Sequence, residues 1–320
     1  MNPSAIKRKI IRDLEKEYKL TAFQKERINW EITSIRGDIE FAQHFNDYIK
    51  KNRKKIKHFL SDLDLESKEE MEKILENLDF MSNHDIVEII ENFMPKMGEL
   101  MEHLNSIEII RNKYKLPIEI HEEAIFKYKH GLNFIPNDVI DNLANKVFLD
   151  CGAYMGDSAL VFEKDCNASR IYSFEPVPDN YKYLLDLIAL NNLKKVIPIK
   201  KGLGEVSGRK SYSALGFCSR ISENGNEEME IITIDDFVLE NKIKVGLIKM
   251  DLEGYEMEAL NGAKYTIRKN KPILLISIYH NPEEMFESKN LIQTFVPDYN
   301  FKIKHLADVR PLGEVHLIAW

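Results

Sequence analysis

The chain is poor in cysteine: 320 residues hold three, Cys151, Cys166 and Cys218, with no C-x-x-C pair. That argues against a disulfide framework and against a thiolate zinc site, and suits a reducing cytoplasm. No stretch approaches the ~18 consecutive apolar residues of a membrane span. The opening MNPSAIKRKIIRDLEKEYKL has neither an apolar core nor a small-residue cleavage site, so no secretory signal is expected. A positive balance is missing as well: 45 Lys and Arg face 52 Asp and Glu, for a net charge of −7. A field of that sign disfavours nucleic acid as a partner. What remains, 44% hydrophobic and 30% charged, is globular, and at roughly 100–200 residues per domain the length implies two domains.

Glycine is scarce in one half only. Residues 1–130 contain Gly37 and Gly98, while the other twelve of the 14 glycines lie beyond. Glycine is disfavoured inside helices and needed at sharp turns. The expected organisation is therefore a helical N-terminal domain over 1–115, a connecting segment over 116–145 and a second domain over 146–320.

Within the helical part Ile28, Ile35, Ala42, Ile49 and Ile56 lie seven apart, and Ile32, Ile39, Asn46, Arg53 and Leu60 form a second lane. Such a seam buries against a partner helix. One reading places the partner in the same domain, around Met71, Ile74, Leu75 and Leu78. The other is a homo-oligomer through these N-terminal helices. The basic run Lys50, Lys51, Arg53, Lys54, Lys55 and Lys57 reads as a solvated helix face.

The second part alternates. KVFLD (146–150), RIYSFE (170–175), VIPIK (196–200), VGLIKMD (245–251) and PILLISIY (272–279) are strand-length apolar runs, with helix-length stretches such as 178–192 and 255–270 between them. That order predicts βαβ units and a parallel sheet covered on both faces. YNFKIKH (299–305) and EVHLIAW (314–320) are joined by a loop alone, which requires an antiparallel pair. The expected fold is a doubly wound α/β sheet closing with one reversed strand.

The first strand runs into Asp150-Cys151-Gly152-Ala153-Tyr154-Met155-Gly156-Asp157. Gly152 allows a sharp turn at a ligand, and Gly156 close helix–strand packing. Glu175 ends the second strand, where a carboxylate accepts hydrogen bonds from a ribose diol. Together they point to an adenosine-containing ligand. A nicotinamide cofactor would set its pyrophosphate on the turn, where Asp150 is expected to repel it; the same carboxylate would attract the ammonium of S-adenosylmethionine. The sequence also lacks G-x-G-x-x-G.

The segments FLDCGAYMGDS (148–158), SFEPVPDNY (173–181), IKMDLEGYEMEALNGAK (248–264), ISIYHNPEE (276–284) and PDYNFKIKH (297–305) follow one another in the order of a known family. On them, residues 146–320 resemble the FkbM family of S-adenosylmethionine-dependent methyltransferases, in a subgroup with a helical N-terminal extension. The resemblance implies a class I methyltransferase (Rossmann-like) fold of seven strands, the last reversed. It implies that the methionyl end of the co-substrate lies near Asp150, Gly152, Ala153 and Tyr154, in the turn completed by Gly156 and Asp157. Glu175, with Pro176 and Asn180, would hold the ribose, and the adenine would lie toward Gly202-Leu203-Gly204.

Asp251, Glu253 and Glu256 crowd the end of the fourth strand. Asp251 is expected to touch the methionine end or to position the acceptor, and Glu253 to contact substrate. Tyr279-His280-Asn281 and Lys304-His305 end the fifth and sixth strands on the same rim. His280 is the expected general base, since an unperturbed histidine titrates at about 6.5; Asn281 and His305 are expected to orient substrate, and His316 to pack. A variant places a divalent ion on Asp251, Glu253, His280 and Asn281, although a metal is not favoured. The implied reaction is O-methylation of a sugar or other small-molecule hydroxyl. The competing readings are an NAD-dependent oxidoreductase and a non-catalytic assembly protein retaining the fold.

Overall fold

A computed structural model describes residues 3–213, 220–221 and 227–320; Cys218 lies outside the described residues. The chain forms two compact units, one of residues 1–114 with 305–315 and one of residues 115–304 with 316–320.

The first unit is helical: α1 (Pro3–Leu14), α2 (Ala22–Lys51), α3 (Arg53–Ser61), α4 (Leu65–Asn83), α5 (Ile86–Phe93) and α6 (Met97–Lys113). Thr21 opens α2 with a capping box: its hydroxyl accepts the Gln24 N–H at 3.2 Å, and the Gln24 side chain accepts the Thr21 N–H at 3.0 Å. Ile28, Ile32, Ile35 and Ala42 are buried along α2, and Met71, Ile74 and Leu78 along α4, two helices packed on each other. Ser82 Oγ donates to the Ala42 carbonyl at 3.1 Å. The repeat read as continuous over 28–60 breaks at Asn52, which ends α2 and precedes α3; its side-chain amide donates to Tyr48 O at 3.0 Å. The basic run lies exposed across this break.

Polar groups also cross the interior of this unit. Arg27 Nε lies 2.6 Å from Glu31 Oε1, which His103 Nε2 on α6 approaches to 2.9 Å. Arg310, in segment 305–315, donates to Asp38 Oδ1 of α2 at 2.9 Å.

The second unit is built on a seven-stranded sheet: β1 (Val147–Cys151), β2 (Arg170–Phe174), β3 (Val196–Ile199), β4 (Val245–Met250), β5 (Ile273–Ser277), β6 (Phe301–His305) and β7 (Val315–Ala319), in the order β6-β7-β5-β4-β1-β2-β3. β1 pairs in parallel with β2 and β4, β2 with β3 and β4 with β5, while β7 runs antiparallel to β5. The strands are apolar because helices cover both faces; every residue of β5 and β7 is buried.

Two features were not read from the sequence. Gly202–Leu203, Gly208–Ser213, Arg220–Ile221 and Glu227–Ile232 form a separate small sheet. The helix expected over 255–270 is two helices, Glu256–Asn261 and Lys264–Asn270. At the break a Cβ on Gly262 would stand 2.0 Å from Gly204 O, so the loop between the first two strands of the small sheet passes directly against this point.

Candidate active site

The carboxyl ends of β1, β2, β4 and β5 form one rim, and the chain turns sharply at each. Gly152 has φ +79°, and a Cβ there would stand 1.8 Å from the carbonyl oxygen of Asp251. The turn after β1 thus packs on the loop after β4, and only glycine fits between them. Gly156, at φ +90°, would press a Cβ to 2.5 Å from Leu184 Cδ1. Its close neighbour is therefore the helix Pro178–Asn191, rather than a strand as expected.

The amides of this turn are spent within the protein. Gly152 N and Ala153 N both donate to Phe174 O, at 3.1 and 2.9 Å, and Gly156 N donates to Ala153 O at 2.7 Å. Tyr154 N donates to Glu175 Oε2 at 2.9 Å. Asp157, buried at the start of the following helix, takes the Ser158 N–H on its own Oδ1 at 2.8 Å. Burial pushes the Asp157 carboxyl up to about 7, against the pull of Lys249. Glu175 also accepts the Val177 N–H at 2.9 Å. Its carboxyl is likewise raised by burial to about 7, while the Val177 and Tyr154 amides and the Asn180 side chain favour the ionised form. Pro176 and Gly202 come together here, a Cβ on Gly202 falling 3.7 Å from Pro176 Cβ. Gly202 and Leu203 are themselves paired with Ile231 and Ile232 in the small sheet.

Asp150 requires a correction. It was expected to face a ligand ammonium and repel a pyrophosphate, but it is fully buried. Its Oδ2 accepts from Ser173 Oγ at 3.0 Å, and its Oδ1 lies 3.4 Å from Lys249 Nζ. The β1–β4 register sets Asp150 beside Lys249, and the lysine ammonium donates to Gly152 O at 2.7 Å. The cation facing Asp150 belongs to the protein, so bare repulsion at this bend is not what excludes a diphosphate. Burial would weaken the Lys249 ammonium, but Asp150, Asp251 and Asp157 outweigh it and hold its pKa above the usual lysine value.

On the other side of the rim, His280 sits among four carboxylates. Nε2 lies 3.4 Å from Asp251 Oδ1 and 3.9 Å from Glu253 Oε2, and Nδ1 lies 3.1 Å from Glu256 Oε1 and 3.8 Å from Glu284 Oε2. Burial would lower the histidine pKa, but Glu256 first, then Glu253 and Asp251, raise it well above the ordinary value. The ring is therefore charged at neutrality and has no free lone pair with which to take a proton. Such a ring suits orienting a neighbouring carboxylate better than the proton removal expected of it. Glu256 is held ionised: burial opposes this, and His280 outweighs burial. Its oxygens accept from Leu252 N at 2.5 Å and Gly254 N at 3.0 Å, which pins the loop where Glu253 and Gly254 take positive φ of 55° and 99°. Glu284, raised by burial and by Glu256, is held protonated.

Asp251 is half-buried and leaves one carboxylate oxygen beyond the one near His280. Asn281 caps the helix Pro282–Phe295, its Oδ1 accepting the Glu284 N–H at 2.9 Å; that oxygen is not available to a substrate. Asp251, Glu256 and His280 each bring one ligating atom within 4.8 Å of the others. Of the residues expected to hold an ion, Asp251 and His280 belong to this cluster, with Glu256 as its third member, while Asn281 Oδ1 caps its helix. His305 belongs to the first unit. Burial, then Lys73, takes its pKa down to about 4, with Glu314 and Arg310 also facing it. Half-buried at the end of β6, it is held neutral there. His316 is fully buried in β7, as expected.

Sequence reasoning missed Lys249, whose signal was a lone lysine inside the apolar run VGLIKM, and Glu284, which stood within a segment quoted for other residues.

Residues 150–303 match the family model for the Methyltransferase FkbM domain. This domain belongs to the FkbM family. The chain is 29% identical over 124 residues to the hexuronic acid methyltransferase AglP of Haloferax volcanii, a match covering 36% of this chain and 49% of that protein. The chain thus spans about half the length of this curated relative. The crystal structure of Methyltransferase FkbM from Methylobacillus flagellatus KT superposes with a TM-score of 0.55 at 20% identity, covering 87% of this chain and 61% of that one. That likeness establishes the class I methyltransferase fold, with its helices flanking a mixed sheet that ends in a reversed strand. Among the described residues no helix is long and apolar enough to cross a membrane.

Proposed function

We propose that the FkbM domain transfers a methyl group from S-adenosylmethionine to an oxygen of a sugar or other small-molecule acceptor. One observation carries this reading over a dinucleotide: the crevice offers acceptors where a pyrophosphate needs donors. The turn amides are used on Phe174, Glu175 and Ala153, and the helix after the turn begins with the Asp157 carboxylate. A phosphate would meet the Asp157 and Glu175 carboxyl groups here, with the amides of Gly152, Ala153, Tyr154 and Gly156 already bonded. Hydroxyls and an ammonium suit such a site, and the Glu175 carboxylate beside Asn180 fits a ribose diol.

S-adenosylmethionine supplies an electrophilic methyl on a sulfonium, which makes the reaction one in-line displacement. The protein aligns the partners and takes a proton. Asp251 is the carboxylate placed for this: it stands at the end of β4 against Gly152, its orientation fixed by the Asp251 N–H to Cys151 O bond of 3.0 Å and by charged His280. As the acceptor oxygen bonds to the methyl carbon and the carbon–sulfur bond breaks, the acceptor proton passes to Asp251. His280 positions that carboxylate rather than exchanging the proton itself. The hexuronic acid acceptor of the Haloferax relative supports a sugar acid or glycoside as the first acceptor class to test.

Calorimetric titration with S-adenosylhomocysteine and with NADH tests the co-substrate: binding of the first and not the second is expected, and the reverse overturns the reading. Transfer of labelled methyl to hexuronic acid glycosides then tests the acceptor class.

A further inference from the structure

Lys249 is 2% exposed, and its neighbour in register on β5 is Leu275. A buried ammonium is costly in such a strand, where an apolar side chain of the same length would pack without penalty. What the ammonium adds is specific. It reaches 2.7 Å to Gly152 O and 3.4 Å to Asp150 Oδ1, so a single side chain of β4 fastens the strand end and the first peptide of the glycine turn. The same turn presents Tyr154 N to Glu175, so its shape fixes where the ribose carboxylate points. We propose that Lys249 is a positioning residue for the co-substrate, acting through the Gly152 carbonyl to set the turn on which the methionyl arm lies. This rests on the reading of the crevice as an S-adenosylmethionine site.

Charge compensation of Asp150 and positioning of the turn separate by mutation. Lys249→Met removes both. Lys249→Met with Asp150→Asn restores neutrality but not the bond to Gly152, and Asp150→Asn alone keeps that bond. The measurements are thermal unfolding and S-adenosylhomocysteine affinity from pH 6 to 8. The double variant is expected to regain most of the melting temperature lost by Lys249→Met yet to bind S-adenosylhomocysteine about tenfold or more weaker than wild type, as for loss of a charge-assisted hydrogen bond. Asp150→Asn is expected to bind within about threefold of wild type, since its carboxylate does not face the ligand. With the cation gone, the pH midpoint of binding in the Lys249→Met variants should move upward. Wild-type affinity and an unmoved midpoint in the double variant would overturn the positioning role while leaving the co-substrate reading intact. No binding by the wild-type protein would overturn both.

Discussion

His280 Nδ1 stands 3.1 Å from Glu256 Oε1, and this contact favours the cationic ring. Its consequence is kinetic. His280→Gln should bind S-adenosylhomocysteine nearly as well as wild type and lose roughly 10–100-fold in turnover, because Asp251 loses its orienting partner. The shape of the pH–rate profile should be unchanged. An acidic limb near pH 6.5 that is present in the wild type and absent from the variant would restore His280 as the base.

Glu175 is raised from the ordinary glutamate range to about 7, so much of it is protonated at pH 6. The ribose hydroxyls need the ionised form. Affinity for S-adenosylhomocysteine should therefore rise with pH, by up to about tenfold per unit below pH 7, and level off by about pH 8. Glu175→Gln should bind more weakly at pH 8 and with a much flatter profile. For stability the sign is opposite: the folded protein binds this proton more tightly than the unfolded chain does. The ligand-free protein should lose stability as pH rises from about 4.5 to 7.

Gly152 and Gly37 should respond in opposite directions to alanine. At Gly152 the backbone is left-handed and Asp251 O blocks the Cβ, so Gly152→Ala should cost about 2–4 kcal/mol and abolish ligand binding. Gly37 lies exposed inside α2 with nothing within 4 Å of a Cβ. Gly37→Ala should stabilise by about 0.5–1 kcal/mol. Denaturant titration of the two variants checks both.

Arg310 and Asp38 form a pair at 2.9 Å with side chains 16% and 2% exposed. Arg310→Met should destabilise by about 3 kcal/mol at pH 7, because it strands a buried carboxylate. Burial already raises Asp38 despite Arg310, and without the arginine it rises further. The penalty should therefore shrink as pH falls toward 4, where the unfolded chain is protonated as well. Arg310→Met with Asp38→Asn should recover much of the loss at neutral pH. A penalty independent of pH would mean lost packing rather than stranded charge.

The seven-stranded sheet was legible because each strand is an apolar run bounded by turn residues, and because the short connection between β6 and β7 leaves only an antiparallel solution. The glycine turn and Glu175 were legible from spacing. Lys249 was not, since its meaning depends on the register between β1 and β4, strands about a hundred residues apart. His280 was read with its ordinary pKa, whereas Glu256, Glu253 and Asp251, brought to it by the loop and helix after β4, raise it. The small sheet escaped because a stretch such as Glu227–Ile232 alternates acidic and apolar residues with little to mark it as paired.

Residues 305–315 come from the link between the last two strands, yet they complete the helical unit, with Arg310 closing on α2 and Asn77 donating to Pro311 O at 3.1 Å. Its six helices are made before residues 115–304, yet that unit cannot reach its final form until segment 305–315 has followed them. Asp38 must wait, solvated or protonated, for a counter-ion encoded some 270 codons later. Full protease resistance of the N-terminal helices is therefore expected only after segment 305–315 has been translated and has packed on them.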